Sequence, residues 1–228
     1  MDEAGRRHYP EKPARVYLFG TCLIDLFCPE AGMDAVRLLE REGIEVHFPA
    51  AQTCCGQPAH SSGFPEQTRA VALAQLRLFP EAWPVIVPSG SCAGMMRHHY
   101  PRIFADDPRL LSEASALAER VFEFTEFLLH VARVRLTDRG APARVALHTS
   151  CAARREMGTH VHARTLLGQL PRVEVAMHTH ESECCGFGGT FSLKHPAISS
   201  AMAGDKVEAL KQTGAQTFLS ADCGCMLN

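Results

Sequence analysis

The sequence contains no run of 18 apolar residues, so no membrane-spanning helix is expected. It carries no strong excess of either charge. The formal net charge of −2 excludes the basic footprint of a nucleic-acid binder and of a protein held on an acidic membrane surface. The opening stretch MDEAGRRHYPEKPARVYLFG places charges where a secretory leader needs its apolar core, and a cytoplasmic location is the expectation. No Gly-x-Gly-x-x-Gly follows a strand-like segment, so no flavin or nicotinamide site is expected. Without hydride chemistry of its own, such a chain is expected to act as one component of a larger complex.

Sulfur is abundant. Ten cysteines occur in 228 residues whose 46% hydrophobic and 21% charged content is otherwise that of an ordinary globular protein. In a reducing compartment thiols stay reduced, so this many cysteines point to metal binding or redox chemistry more than to a disulfide framework. Two of the cysteine sites are adjacent pairs followed by glycine, TCCGQP (53–58) and ECCGFGG (183–189).

These pairs are anchors of an internal duplication. ARVYLFGTC (14–22) matches ARVALHTSC (143–151), and Cys151 stands 129 positions after Cys22. The pairs are 130 positions apart, and VIVPSGSC (85–92) matches TFLSADCGC (217–225) at 133 between the final cysteines. Each copy reads as strand, helix, strand, cysteine-pair loop, helix, strand. The strands are the β-branched runs RVYLF and RVALH, IEVHFP and VEVAMH, PVIVPS and QTFLSA. Helical spacing follows at Ala72, Leu76 and Phe79 in the first copy; in the second it follows at Ala163, Leu166, Leu167 and Leu170, and at Ile198, Met202 and Ala209. The segment 105–131 reads as helix and has no counterpart in the second copy. The expected fold is α/β, two pseudo-symmetric repeats that are each a small parallel sheet flanked by helices. The expected boundaries are 14–135 and 143–228, with 136–142 as linker.

Ligands of parallel α/β sheets gather at the carboxyl ends of strands, and the repeat places cysteines there. The first copy offers Cys22, Cys54, Cys55 and Cys92; the second offers Cys151, Cys184, Cys185 and Cys225. A structural zinc site commonly uses close pairs such as Cys-x-x-Cys, because one turn aims both sulfurs at one ion. Directly adjacent residues of an extended segment point to opposite faces, which suits different irons of a cluster better. Iron–sulfur clusters are therefore favoured on physical grounds, with zinc kept as the alternative. Gly56 and Gly186 let the backbone turn or approach such a group without a Cβ.

These motifs resemble the Cys-Cys-Gly family of cysteine-rich iron–sulfur domains, which includes the cysteine-rich component of heterodisulfide reductase and the iron–sulfur subunits of glycolate and anaerobic glycerol-3-phosphate oxidation. The resemblance covers about residues 14–228. The short two-copy form, with CLIDLFCPEAG (22–32), CCGQPAHSSG (54–63) and CCGFGGTFSLKHP (184–196), is most similar to members that serve lactate oxidation. The resemblance implies an iron–sulfur electron-transfer subunit of a complex oxidising L-lactate to pyruvate, with one 4Fe-4S cluster per repeat held by the eight cysteines. It also implies a ferredoxin-like iron–sulfur subunit and a third small subunit as partners. A cluster-dependent thiol–disulfide reductase and a zinc-stabilised binding module are the alternative functions, and no catalytic residue is identified. The chain departs from the family pattern at the fifth cysteine, where Met95 and Asn228 stand; Cys223 is a possible additional ligand in the second copy.

Other residues carry blander expectations. Cys28, beside Phe27, reads as a buried small hydrophobe. His148, His178 and His180 have no histidine counterparts in the first copy and read as satisfied or solvent-facing. His60 could reach a cluster by a hydrogen bond, His98, His99 and Tyr100 read as surface residues that could meet a partner, and FEFTEFLLHV (122–131) reads as core helix.

Overall fold

The computed structural model describes residues 7–228; the first six residues, part of the stretch read as lacking a leader, lie outside the described residues. Seven strands form: β1 (Arg15–Leu18), β2 (Glu45–His47), β3 (Val85–Val87), β4 (Val121–Glu123), β5 (Ala143–His148), β6 (Val173–Ala176) and β7 (Thr217–Ser220). They make two separate parallel sheets, in the orders β2-β1-β3-β4 and β6-β5-β7, each flanked by helices. The first strand of each repeat is central and the next two lie on either side of it. Pairing matches as well: Arg15 lies opposite Glu45 and Arg144 opposite Glu174. Each of these pairs forms an ion pair, at 2.9 Å and 2.8 Å. Both are exposed and contribute little to stability, but they show that the two sheets share one register.

The side-chain period of two divides the first sheet's packing. Tyr17, Phe19, Val85 and Val87 pack on one face with Phe79, Met95, Tyr100, Cys55 and Cys92. Val16, Leu18 and Ile86 pack on the other with Phe122, Phe127 and Leu166. Leu166 comes from the second repeat, so the two repeats share buried apolar surface.

Two expectations need correction. Segment 105–131 is not one helix: helices Pro108–Arg120 and Phe124–His130 are separated by β4. Val121 and Phe122 pair in parallel with Val85 and Ile86, so a strand is extracted from a helical-looking run by the unpaired edge of β3. Glu123 then starts the next helix with a capping box, its carboxylate accepting from the Thr125 and Glu126 amides while Glu126 accepts from the Glu123 amide. In helix Pro196–Lys211, Ile198 is 56% exposed; the buried positions are Ser199, Lys206, Ala209 and Leu210.

The repeats meet through a contact made twice. Helix Gly90–Gly94, at the end of the first repeat's β3, packs on the π-helical turn Ala153–Met157 that follows β5. Helix Cys223–Leu227, after β7, packs on helix Cys22–Phe27, after β1. Each contact is the counterpart of the other under the duplication. The first is so close that a Cβ at Gly90 would stand 2.2 Å from the Ala153 Cβ. Between them, Asp222 Oδ1 accepts from Ser89 Oγ at 2.7 Å and from the Ser91 amide at 3.2 Å, and Gly90 donates its amide to the Ala221 carbonyl at 3.0 Å. Among the described residues, no helix is long and apolar enough to cross a membrane.

Candidate metal centre

The first cysteine of each set opens the helical segment that follows its central strand. The residues before them, Thr21 and Ser150, are buried and hold positive φ of 57° and 37°. Non-glycine residues pay roughly 1–3 kcal/mol for such backbone. The same strain in both copies turns the chain sharply at the strand end, so that Cys22 and Cys151 face inward instead of continuing the strand.

The adjacent pairs are built alike. Gly56 and Gly186, at φ 90° and 92°, reverse the chain so that each donates its amide to the first sulfur of its pair: Gly56 to Cys54 Sγ and Gly186 to Cys184 Sγ, both at 3.4 Å. A Cβ at Gly186 would lie 2.7 Å from the Ser199 carbonyl oxygen. The second cysteines, Cys55 and Cys185, are buried, and Cys55 donates to Cys92 Sγ at 3.3 Å. Tyr100, with its hydroxyl on the Cys55 carbonyl at 2.9 Å, is fully buried behind the pair and is not the surface residue expected.

Hydrogen bonding within each set favours negative charge on the first sulfur of the pair, and in the second set on Cys225 as well. Hydrogen bonding from Cys22, then from Cys55, holds the Cys54 thiol far below its ordinary value; Cys151 and Cys185 do the same for Cys184. The donors are pushed up correspondingly, Cys22 and Cys55 chiefly by Cys54, and Cys151 and Cys185 chiefly by Cys184. Cys225 is lowered by hydrogen bonding from Cys185 first, with His148 also favouring its thiolate.

All eight cysteines, with Cys223, line one cavity of about 330 Å³ between the repeats. Asp222 also lines it, with Oδ2 buried and without a hydrogen-bond partner. Cys223 does not turn toward Cys225. Its sulfur lies 3.2 Å from Cys28 Sγ and 3.7 Å from the Leu23 carbonyl, across the contact between repeats. Cys28 is thus half-buried beside a second thiol and is not an inert core hydrophobe.

The histidines divide. His180 is solvent-facing as expected, paired with Glu183 at 2.8 Å. His148 and His178 are buried, and all four of their ring nitrogens lack hydrogen-bond partners. Burial first, then the Lys206 charge, lowers His178 to about 4. His148, Cys185 and Cys225 bring one ligand atom each within 4.8 Å of one another and form a group able to hold a metal ion. His148 has no histidine counterpart because the matching position of the first repeat is Phe19. His60 lies against the His99 ring, and His98 and His99 reach Glu156 of the second repeat at 3.0 Å and 3.2 Å; both are half-buried. The donor chemistry fits a thiophilic metal or an iron–sulfur cluster: two sets of four converging sulfurs, each with a backbone amide on one sulfur.

A family described as a cysteine-rich domain, CCG, matches this chain twice, at residues 16–97 and 145–228. "Lactate utilization protein A" of Geobacillus thermodenitrificans (strain NG80-2) is 43% identical over 94% of this chain and 89% of its own length. The protein of that name from Shouchella clausii (strain KSM-K16) is 43% identical over 93% of this chain and 89% of its own, and that of Bacillus cereus (strain B4264) is 42% identical over 94% and 89%. A crystal structure of a hypothetical protein from Helicobacter pylori shares the fold, with a TM-score of 0.67 at 11% identity; it covers 96% of this chain, which spans 43% of that one.

Proposed function

The chain belongs to the cysteine-rich CCG family, and from that premise we propose that it is the iron–sulfur electron-transfer subunit of a cytoplasmic complex oxidising L-lactate to pyruvate. The observation that carries the proposal is the convergence of Cys22, Cys54, Cys55 and Cys92 with Cys151, Cys184, Cys185 and Cys225 on a single cavity. The relatives named for lactate utilization, similar along nearly the whole chain, supply the substrate.

In this reading each four-cysteine set holds one 4Fe-4S cluster, which when bound takes up and releases single electrons. The chain's own groups bind and bias it. Thr21 and Ser150 aim the first sulfur of each set, and the Gly56 and Gly186 amides donate to the sulfurs that carry most negative charge. Such donation stabilises the reduced state. Lys206, buried with its ammonium on the His180 carbonyl, places a positive charge near the second set and acts in the same direction. The partners are a ferredoxin-like iron–sulfur subunit and a third small subunit. Exposed Leu26 and Phe27 on helix Cys22–Phe27, and Met226 and Leu227 on helix Cys223–Leu227, support a docking face beside the cavity.

Anaerobic reconstitution followed by iron, sulfide and zinc analysis with EPR tests the proposal. Wild type is expected to bind iron and sulfide in equal amounts; Cys54→Ser and Cys184→Ser should each lose about half. Stoichiometric zinc without iron would replace the proposal with a zinc-stabilised module. Reduction of a disulfide substrate by the lone chain would favour a thiol–disulfide reductase.

A further inference from the structure

The two sulfur sets differ in what stands behind them. At the end of β1 the position is Phe19, fully buried in the cluster that also contains Cys55 and Cys92. At the corresponding end of β5 it is His148, 2% exposed and within 4.8 Å of Cys185 and Cys225, the counterparts of Cys55 and Cys92. An imidazole in this place costs more than a phenyl ring unless its nitrogens are used. Leaving a buried nitrogen unsatisfied costs free energy, and neither nitrogen of His148 makes a well-formed hydrogen bond, its one polar approach being to the Cys225 sulfur. Apart from the thiols the ring has no polar neighbour to turn to: the next ring, His178, stands 6.4 Å away between centroids and is itself unpartnered. A buried imidazole whose ligand atom lies within 4.8 Å of two sulfurs calls for a bound group that uses all three.

We propose that His148 supplies a nitrogen ligand to the metal centre of the second repeat in place of one thiolate of its four-cysteine set, so that the two centres of this chain are chemically unequal: four thiolates in the first, three thiolates and one imidazole in the second. This rests on the reading that the sulfur sets hold iron–sulfur clusters. A neutral imidazole in place of one thiolate leaves the centre with one less negative charge, which raises its reduction potential. The second centre is then the stronger electron acceptor, and the chain has a direction: electrons run from the first repeat to the second. Cys223, engaged with Cys28, is not needed to complete the second set.

The test uses the full chain, reconstituted anaerobically with iron and sulfide, reduced, and labelled with ¹⁵N-histidine. Pulsed EPR should find the strong nitrogen coupling of a metal-bound imidazole in wild type, with the isotope shift of histidine. His148→Phe, which copies the first repeat, and His148→Cys, which keeps a donor should the phenyl variant bind no second cluster, should both abolish the coupling. His178→Phe should retain it. A redox titration should place one of the two centres at a lower potential in His148→Cys than in wild type, with the other unmoved. Iron bound in wild type without that coupling, or a coupling that survives loss of His148, overturns the inference while leaving the cluster reading intact. Failure of wild type to take up iron overturns both.

Discussion

At the scale of single residues, buried polar groups separate structure from function. Glu123 is 1% exposed, and burial foremost raises its carboxyl to about 7 from an ordinary 4.5. The folded protein therefore keeps this proton to a higher pH than the unfolded chain does. Stability contributed at this site falls as pH rises from about 4.5 to about 7, by about 3 kcal/mol, and is level above that window. Glu123→Gln, neutral throughout and still able to accept from the Thr125 and Glu126 amides, should flatten that decline in chemical denaturation curves taken across the window. Glu126, also raised chiefly by burial and held by Arg7 and Arg97, should leave a smaller residual slope of the same sign. An unchanged slope in Glu123→Gln would place the proton elsewhere. His148 is the contrasting case. Its burial serves no cap and no ion pair among the described residues, which is why a ligand role explains it better than a structural one.

At the scale of elements, the cysteine-pair turns show how tightly backbone and chemistry are joined. Gly186→Ala would force a side chain into φ 92° and drive its Cβ to 2.7 Å from the Ser199 carbonyl, whereas Gly43 has φ 77° with nothing within 4 Å of a Cβ. Both variants pay the left-handed backbone cost of roughly 1–2 kcal/mol, but only Gly186→Ala must also displace helix Pro196–Lys211. Thermal melts should therefore show a clearly larger loss for Gly186→Ala, together with reduced metal uptake, and equal losses would contradict the close approach.

The strands, their parallel order and the eight sulfurs were legible because the duplication repeats them at nearly constant spacing, and a pattern seen twice needs little else. The fourth strand was not, since Val121 and Phe122 are strand-forming only because β3 offers an open edge. Backbone strain at Thr21 and Ser150 leaves no mark in residue type. His148 escaped because comparison of copies rewards matched residues, and its meaning lies in the mismatch with Phe19. The Ile198 face was misjudged because buried Lys206 takes an apolar position on helix Pro196–Lys211.

At the scale of the whole molecule, the contact between repeats carries a second thiol chemistry. Cys28 and Cys223 are separated by 195 positions in sequence and 3.2 Å between sulfurs. Two thiols and one oxidised glutathione should yield a Cys28–Cys223 disulfide and two reduced glutathiones, detectable as a linked peptide by mass spectrometry of the metal-loaded protein. By closing so long a loop, the bond should stabilise the chain by about 2–5 kcal/mol against denaturant. Cys28→Ser should show neither the linked peptide nor the gain. Recovery of other cysteine pairings in place of this one would mean that the sulfurs do not meet in solution.

The reciprocal packing of helix Gly90–Gly94 on Ala153–Met157 and of helix Cys223–Leu227 on Cys22–Phe27 is the arrangement of a homodimer written into one polypeptide. In a true homodimer every substitution is made twice, so its two centres must remain identical and an electron has no reason to prefer either. Covalent fusion lifts that obligation. Phe19 can stay phenyl while His148 is imidazole, and Met157, the counterpart of Cys28, can stay inert while Cys28 meets Cys223. The tether also keeps the halves at a high effective concentration, so the shared cavity survives dilution that would separate two free copies. With His148 as a ligand of the second centre, the tandem chain would gain polarity over a symmetric pair: a front and a back to an electron path that symmetry would leave without one.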